Sequence, residues 1–388
     1  MKLSGSRSLT VVSVAVAAVL LAACGKKEVA SNEMVIKIGH VGPMSGAIAH
    51  LGKDNENGAR MAIEELNAAG LKIGDKTAKF ELLAEDDAAD PKQGTAAAQK
   101  LVDAKVNGVI GHLNSGTTIP ASQIYNGAGI PQISPSATNP KYTRQGYAGA
   151  FRVVADDVQL GGTLGKYAVE ALKGQNIAVI DDRTAYGQGV AEEFKKGATA
   201  AGGTIVGHEF TTDKSSDFNA ILTTLKAKKP DVVFFGGMDA VAGPMLRQMK
   251  SLGIEAKFMG GDGICTSELA KLAGDAMQDD AVVCAEAGGV EGEQKVGMDK
   301  FRADFKAKFN ADVQVYAPYV YDAVKVMATA MVNAGSADPA KYLPALKSIS
   351  YKGVTGDIAF DEKGDIKNGA LTMYTYKGGQ RSQIAVVR

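Results

Sequence analysis

The sequence predicts an α/β protein of two doubly wound lobes, in which each lobe is a parallel β-sheet with helices on both faces. Three observations lead to this fold class. The chain has 388 residues, which is too long for one small core. Strand-like and helix-like segments alternate strictly after residue 33, as they do in parallel sheets, and the alternation restarts near Phe151.

The first lobe begins with an apolar strand, MVIKIGHVG, and a helix over DNENGARMAIEELNAAG. Gly70 is placed to end this helix. Apolar residues at helical spacing predict its buried face: Ala59, Ala62, Ile63 and Leu66. After the strand AKFELLAEDD, Asp90 and Pro91 predict the N-cap and the first residue of a second helix.

A βαβ unit follows, and it carries the candidate binding site. The runs GVIGH (108–112) and IPQIS (130–134) are short and β-rich, and the segment between them can form a helix. Their carboxyl ends then lie side by side, at the edge where open α/β sheets bind ligands. The loops LNSGTT and SPSAT bring free N–H groups and hydroxyls to this edge, which favours a carboxylate or another small oxyanion. The hydroxyls belong to Ser115, Thr117, Thr118, Ser136 and Thr138.

The second lobe repeats the alternation, from the helix DDVQLGGTLGKYAVEAL to the strand AKFMGGDG. Beyond Glu286 the chain forms long helices, QKVGMDKFRADFKAKF and PYVYDAVKVMATAMVNAG, and then DPAKYLPALKSI. It ends in β-structure, with Lys377, Gly378 and Gly379 as a hairpin turn.

Composition and motifs argue against several classes of function. Lys+Arg of 43 balance Asp+Glu of 43, so no net charge attracts the protein to nucleic acid. Motifs of phosphate loops, nucleophile elbows and zinc proteases are missing, and the glycines after Tyr186 do not match a dinucleotide loop. His112 lies near Ser115 without an arrangement that supports a nucleophile, and the carboxylates of FDEKGDIKNG are too few for a calcium loop. We expect no catalysis, no metal and no cofactor.

The N-terminus predicts export. Lys2 and Arg7 precede an apolar run too short to span a bilayer comfortably, which indicates a signal peptide over residues 1–23. The sequence Leu-Ala-Ala-Cys-Gly resembles the bacterial lipobox, which predicts that Cys24 is lipid-modified and that residues 24–33 are a tether. The alternative is an ordinary secreted protein in which Cys24 is incidental.

Two further cysteines remain, Cys265 and Cys284, each just after a strand-like run. An oxidising compartment favours a disulfide between them. The alternative is a pair of buried free thiols.

Several short segments, taken together, resemble the leucine/isoleucine/valine-binding protein family, the type I periplasmic binding proteins of ABC transporters. The likeness covers almost the whole chain after the signal peptide, and the order and spacing of the segments make it specific. The matching segments are IGHVGPMSG (38–46), DDAADPKQ (86–93), VIGHLNSGTTIPAS (109–122), ISPSATNP (133–140), AYGQG (185–189), FFGG (234–237), FMGGDG (258–263) and GDIAFDEKGD (356–365).

This resemblance implies how the lobes are connected. Residues 34–153 and 287–355 would form lobe 1, and residues 154–286 and 356–388 would form lobe 2, joined by a three-crossover hinge. The ligand cleft would lie between the lobes, which close by hinge motion. The implied protein is a periplasmic monomer that delivers an amino acid to an ABC permease in the inner membrane, and the lipobox adds the lipid anchor at Cys24.

The resemblance also assigns roles to single residues. Ser115 and Thr138 match positions that bind the α-carboxylate, and the backbone carbonyl of Ser136 matches one that binds the α-ammonium. Asp262 matches an acid that pairs with the same ammonium, and Tyr186 matches an aromatic residue near the ligand. The side-chain pocket is matched by Leu51, Leu113, Ala137, Met238 and Tyr316.

Three departures from the family pattern bear on specificity. Leu51 and Met238 stand where branched-chain binders often carry Tyr, and Asp262 is one methylene shorter than the usual Glu. The head-group site is therefore better supported than the choice of side chain, for which leucine, isoleucine or valine is the first expectation. Another small amino acid, an amide or a carboxylate is the alternative.

Each assignment has a structural alternative. Ser115 and Thr138 could cap the following helices, Tyr186 could be a surface or hinge aromatic, and Asp262 could form a turn. Met238 and Tyr316 could be core residues. Two other functions stay open: a ligand-sensing module that presents its closed form to a receptor, and a secreted hydrolase, for which the sequence offers no nucleophile with a base.

Overall fold

A computed structural model describes residues 32–387 of the chain. The predicted signal peptide and Cys24 lie outside the described residues, as does most of the predicted tether. Within residues 32–387, no helix combines the length and the apolar character that a membrane crossing requires.

The first lobe is built on a six-stranded sheet with the order β2-β3-β1-β4-β5-β6. All neighbours are parallel except β2 and β3. Its elements are β1 (Glu33–Gly42), α1 (Ala49–Ala69), β2 (Lys72–Ile73), β3 (Lys76–Asp86), α2 (Pro91–Asp103), β4 (Gly108–Gly111), α3 (Ser115–Gly127), β5 (Gln132–Ser134) and β6 (Ala150–Arg152).

The helix signals read from the first lobe are confirmed. The four apolar residues predicted for the inner face of α1 are buried. Gly70 ends α1 with a φ of 59°, a left-handed conformation that glycine adopts without a steric penalty. Asp90 caps α2 by accepting hydrogen bonds from the N–H groups of Lys92 and Gln93, and Pro91 is the first residue of the helix.

The second lobe is built on a seven-stranded sheet with the order β15-β14-β11-β10-β9-β7-β8. Strands β7 to β11 are parallel, and the last two strands of the chain add to one edge in antiparallel fashion. The elements are α4 (Asp157–Glu170), β7 (Asn176–Asp181), α5 (Ala185–Ala200), β8 (Thr204–Phe210), α6 (Asn219–Lys226), β9 (Val232–Gly236), α7 (Asp239–Ser251), β10 (Lys257–Gly260), α8 (Glu268–Ala273), β11 (Val282–Glu286), β14 (Leu371–Lys377) and β15 (Gln380–Val387).

Both sheets reverse their strand order at one point, which decides where a ligand can bind. Counted along the chain, the five main parallel strands of each lobe have the spatial order 2-1-3-4-5. Such a sheet opens a crevice between its first and third parallel strands, beyond their carboxyl ends. In the first lobe this crevice lies between β1 and β4, and in the second lobe between β7 and β9. The loops that follow these four strands therefore face the candidate cleft.

The remaining helices, α9 (Glu293–Phe309), α10 (Ala317–Ala334) and α11 (Pro339–Lys347), belong to the first lobe. Helix α10 packs against α1 and α11. The chain thus passes between the sheets after β6, after β11 and again after α11. The third passage contains a small hairpin of β12 (Tyr351–Gly353) and β13 (Gly356–Ile358). The sequence also predicts which segments move together as rigid bodies, namely the two lobes with the boundaries given above, and this stays a prediction.

Two helices begin earlier than the sequence predicts: α1 begins at Ala49 instead of Asp54, and α3 differs at the candidate site. Helix α3 begins at Ser115, so that Ser115, Thr117 and Thr118 lie in its first turn instead of in the preceding loop. The carbonyl of Asn114 accepts the N–H groups of Thr117 and Thr118, which starts the helix earlier. The candidate loop after β4 therefore ends in a helix N-terminus.

A disulfide joins Cys265 and Cys284, whose Cα atoms are 5.4 Å apart. Both cysteines are fully buried. Cys284 lies in β11, opposite Gly260 of the parallel strand β10, and Cys265 follows the turn after that strand. The bond therefore ties the turn that contains Asp262 to the neighbouring strand.

Candidate functional site

The loops after β4 and β5 form one continuous surface, as the predicted βαβ unit requires. Ile110 of β4 pairs with Ile133 of β5, so both strands end at the same edge of the sheet. The hydroxyl of Ser136 donates to the carbonyl of Leu113 at 3.0 Å, and the hydroxyl of Ser115 accepts the N–H of Asn139 at 3.2 Å. These cross-loop bonds hold the two hydroxyl-bearing segments together.

The N-terminus of α3 is the positive part of this surface. The first N–H groups of a helix have no acceptor within it, and the helix dipole favours negative charge there. The hydroxyl of Thr117 donates to the carbonyl of Asn114, and that of Thr118 donates to the carbonyls of His112 and Asn114. These two threonines stabilise the helix start, which leaves Ser115 as the hydroxyl of the first turn that faces the loop after β5.

Arg152, at the end of β6, fixes the loop after β5 by hydrogen bonds to its backbone. Its side chain is fully buried, and its Nη1 donates to the carbonyls of Ala137 at 2.7 Å and Asn139 at 3.0 Å. Its Nε and Nη2 donate to Oδ1 of Asp365 at 3.0 and 2.6 Å, and Nη2 also donates to the Thr143 hydroxyl. The ion pair balances the buried charge and ties the loop to the third passage between the lobes.

Asp262, at the inner end of the cleft, is hydrogen-bonded to a residue of each lobe. It lies in the turn after β10 and is 1% exposed. Its Oδ1 accepts the hydroxyl of Tyr186 at 2.8 Å, and its Oδ2 accepts the hydroxyl of Tyr316, from the first lobe, at 2.9 Å. Burial raises the pKa of Asp262 to about 6, although the hydrogen bonds from both tyrosines act in the opposite direction. A cation beside Asp262 would restore its ionised form.

Asp157, the first residue of α4, is a second buried acid at this place. Its N–H donates to the carbonyl of Thr138 at 2.8 Å, and its side chain is fully buried. Among the described residues, neither of its carboxylate oxygens has a hydrogen-bond partner of good geometry. The hydroxyl of Thr138, which lies beside Asp157, also lacks such a partner. Burial raises the pKa of Asp157 well above its usual range, and the charge of Asp262 raises it further. Within residues 32–387, Asp157 and Asp262 therefore both lack an ion-pair partner.

An apolar cluster adjoins these acids. It is formed by Ile48, Leu51, Leu113, Val315 and Tyr316, with Ala89, Met238 and Ala240 packed against it. Met238 and Ala240 come from the loop after β9 and from α7, whereas the others belong to the first lobe. Both lobes therefore contribute to one apolar surface.

A cavity of about 510 Å³ extends outward from this cluster between the lobes. Tyr186 and Met238 line it, and the other predicted ligand residues lie deeper, at 4% exposure or less. Much of its wall carries small side chains, and Asp182, Arg183 and Lys214 lie among the polar residues of its lining. Pockets of this size hold small organic ligands in many proteins.

The structure brings the predicted residues together in two groups. The polar group contains Ser115, Ser136, Thr138, Tyr186 and Asp262, and the apolar group contains Leu51, Leu113, Met238 and Tyr316. Tyr316 belongs to both, because its ring packs in the cluster while its hydroxyl bonds to Asp262. Ala137 lies under the polar group, with its N–H bonded to the Ser134 hydroxyl and its carbonyl bonded to Arg152.

Sequence reasoning missed Asp157 and Arg152. In the sequence, Asp156 and Asp157 look like a helix start, and only Asp156 has that role, since it accepts the N–H of Gln159. Arg152 stands alone in the apolar run AFRVVA, and an arginine in a buried strand must find an acid. That isolated charge was the available signal.

His112 has a structural role in this region. Its Nδ1 lies 3.1 Å from Oδ2 of Asp87, and its Nε2 lies 3.0 Å from the hydroxyl of Tyr125, with all three side chains buried. Within residues 32–387, no group of three or more His, Cys, Asp or Glu side chains is arranged to hold a metal ion.

The profile of a protein family described as "Periplasmic binding protein" matches residues 35–380 of the chain. The leucine-, isoleucine-, valine-, threonine- and alanine-binding protein of Pseudomonas aeruginosa is 38% identical over 90% of this chain and 92% of its own length. Leu/Ile/Val-binding protein homolog 1 of Brucella abortus is 41% identical over 87% of this chain and 89% of its own length.

Among solved structures, the fold is similar to the branched-chain amino acid transporter substrate-binding protein LivJ of Streptococcus pneumoniae in complex with isoleucine. The TM-score is 0.82 at 28% sequence identity, and the match covers 91% of this chain and 99% of that one. The similarity therefore extends over both lobes and over the cleft between them.

Proposed function

Because this chain belongs to the periplasmic binding protein family, we propose that it is the extracytoplasmic substrate-binding component of an ABC importer and binds an amino acid between its lobes. One observation carries the proposal: the N-terminus of α3, which favours an anion, lies close to Asp157 and Asp262, two buried acids without an ion-pair partner among the described residues. This pattern of charge is complementary to a zwitterion.

The α-carboxylate is assigned to the loops of the first lobe. The hydroxyls of Ser115 and Thr138 and the free N–H groups at the start of α3 supply donors, and the helix dipole adds a favourable field. The bonds from Arg152 to Ala137 and Asn139 fix the backbone on both sides of Thr138. A fixed backbone binds with less loss of conformational entropy than a mobile one.

The α-ammonium is assigned to the acids. Asp262 and Asp157 offer carboxylate oxygens, and the carbonyl of Ser136 offers a neutral acceptor. Burying an unpaired carboxylate is costly, and pairing with an ammonium offsets that cost. Hydrogen bonds to charged groups contribute roughly 1.5–3 kcal/mol each, so a few of them reach the roughly 8 kcal/mol of a micromolar complex.

The ligand's side chain is assigned to the apolar cluster. Leu51, Leu113, Met238 and the ring of Tyr316 form its walls, and each buried methylene adds roughly 0.8 kcal/mol. Leucine, isoleucine and valine fit this chemistry best. The two relatives are named for binding these amino acids, and the similar solved structure contains isoleucine. The adjoining cavity leaves room for other small amino acids.

Delivery of the ligand requires that the cleft opens and closes. Lobe 1 would comprise residues 34–153 and 287–355, and lobe 2 residues 154–286 and 356–388, moving about the three passages between the sheets. The closed form, with Tyr316 bonded to Asp262 across the cleft, is the form that the permease would recognise. We also propose that the protein is a monomer held at the periplasmic side of the membrane through lipid-modified Cys24.

The test is a calorimetric screen of the purified mature protein against the twenty amino acids, their amides and small carboxylates. We expect binding of branched-chain amino acids and a matching rise in melting temperature, because a ligand that binds only the folded state stabilises it. Binding of an amide or a carboxylate alone would redirect the proposal to those ligands. No binding by any amino acid would refute it.

A further inference from the structure

An ion pair connects the two lobes at a place away from the head-group site. His50 lies in the first turn of α1, which packs on the first sheet and on α10. Asp239 is the first residue of α7, which follows β9 of the second sheet and packs on α8. The Nε2 atom of His50 lies 2.8 Å from Oδ2 of Asp239. The contact therefore spans the cleft and would break if the lobes moved apart.

Asp239 needs a positive partner in the closed form. Its side chain is fully buried, and its Oδ2 also accepts the hydroxyl of Thr266 at 2.6 Å. Its Oδ1 has no hydrogen-bond partner within residues 32–387. An isolated buried carboxylate is costly, and the imidazole of His50, with 23% of its side chain exposed, is the contacting group that supplies a positive charge when protonated.

The pair also lies beside the apolar cluster. His50 precedes Leu51 in α1, and Asp239 follows Met238 at the start of α7. Leu51 and Met238 come from opposite lobes and belong to the same cluster. The distance between His50 and Asp239 is therefore coupled to the distance between the two walls of the cluster.

Three acids act on the charge of His50. They are Asp239 from α7, Glu268 from α8, which pairs with Lys271, and Asp54 one turn along α1. Burial lowers the pKa of His50, but the hydrogen bond to Asp239 and the charges of these acids outweigh it, so that the pKa is raised in the closed form. When the cleft opens, the contribution of Asp239 is lost.

We infer that His50 and Asp239 form a closure clamp, a positioning pair that does not touch the ligand but stabilises the closed cleft and makes affinity depend on pH. The inference rests on the proposed function, since the clamp acts on ligand-driven closure. It goes beyond that function by assigning a role to two residues outside the head-group site.

The direction of the pH effect follows from proton linkage. The pKa of His50 is higher in the closed form, so closure takes up a proton when the pH lies above about 6.5, the ordinary value for histidine. The clamp is complete below that pH, weakens as the pH rises towards the raised pKa, and is absent above it. Ligand affinity should therefore fall with rising pH through this window.

The chain offers a matched control. His208 and Asp181 form a pair with the same Nε2–Oδ2 distance of 2.8 Å and nearly the same histidine exposure of 24%. Both residues lie on adjacent strands of the second lobe, β8 and β7. This pair stays intact whether the cleft is open or closed.

The experiment compares wild type, His50→Gln and His208→Gln by stopped-flow binding and calorimetry between pH 6 and 9, with the tightest amino acid of the screen. We expect His50→Gln to raise koff about tenfold at pH 6.5 with kon unchanged, because a contact made only in the closed form slows opening. The variant should also lose the decline of affinity above pH 6.5, whereas His208→Gln should behave as wild type.

An unchanged koff and pH profile in His50→Gln would overturn the clamp and leave the proposed function standing. The same change in both variants would overturn it too, because the effect would then not depend on closure. Failure of the wild type to bind any amino acid between pH 6 and 9 would refute the proposed function and the clamp together.

Discussion

The substitution Asp262→Asn should have opposite effects on stability and on binding. Asp262 is buried, and its pKa is raised from the ordinary 3.8 to about 6. At roughly 1.4 kcal/mol for each tenfold change in proton affinity, the ionised side chain costs the closed fold without ligand about 3 kcal/mol near neutral pH, which is an upper limit for a cleft that opens when ligand is absent. The asparagine has nearly the same shape and no charge. The variant should therefore be more stable than wild type without ligand, by at most this amount.

The sign of this stability difference depends on pH. The folded-state pKa is raised, so the wild-type protein loses stability as the pH rises from about 4 through about 6, and the variant does not. Denaturant unfolding without ligand should show no difference between the two proteins below about pH 4. The difference should grow through this window and be complete above it.

Binding should change the other way. The introduced asparagine lacks the charge that we assign to the ligand's ammonium, and a hydrogen bond to a charged group contributes roughly 1.5–3 kcal/mol. The dissociation constant of every α-amino acid ligand should therefore rise by roughly tenfold to 150-fold at pH 7, as measured by calorimetry.

The control is Asp322→Asn. Asp322 is equally buried, its pKa is also raised to about 6, and it binds the N–H groups of Val354 and Thr355 away from the cleft. Its replacement should alter stability without altering affinity. If Asp262→Asn changed affinity less than threefold, or if both variants weakened binding equally, the assignment of Asp262 to the ammonium would be wrong.

Further predictions concern the rest of the site. In the calorimetric screen, Thr138→Ala should weaken the binding of all α-amino acids alike, whereas Met238→Ala should alter their order of affinity. If Thr138→Ala changed only that order, the division between head-group site and side-chain pocket would be wrong. Arg152→Met should cost about 3–5 kcal/mol in denaturant unfolding, because it removes the fully buried half of an ion pair and leaves the carbonyls of Ala137 and Asn139 without their donor. Cys265→Ser should cost about 3 kcal/mol, because it opens a loop of 19 residues, and an equal melting temperature with and without the bond to Cys284 would contradict this.

Local patterns in the sequence were sufficient for the architecture. The apolar spacing in α1, Gly70 at its end and the Asp90–Pro91 start of α2 all appear in the structure as predicted. Such signals depend on neighbours within one or two turns, so a single segment contains them. The same holds for the two loops of the βαβ unit, whose proximity follows from the parallel pairing of the strands that carry them.

The helix boundary at Ser115 shows where local signals become weak. Glycine and hydroxyl residues in LNSGTT favour a loop as much as a helix start. Hydrogen bonds from Thr117 and Thr118 back to the carbonyl of Asn114 fix the start of the helix. Side-chain bonds of this kind compete with loop conformations and are not visible in residue type alone.

What the sequence by itself determined is the pair of α/β lobes and the hydroxyl-bearing edge of the first one, because periodicity and turn residues specify strands, helices and their order. Only the tertiary structure decided how charge is balanced. Tyr316 meets Asp262 from 54 positions away, His50 meets Asp239 from 189, and Arg152 meets Asp365 from 213. A buried charge is tolerated only beside a partner, and those partners are brought together by the packing of lobes and passages, which no local pattern encodes.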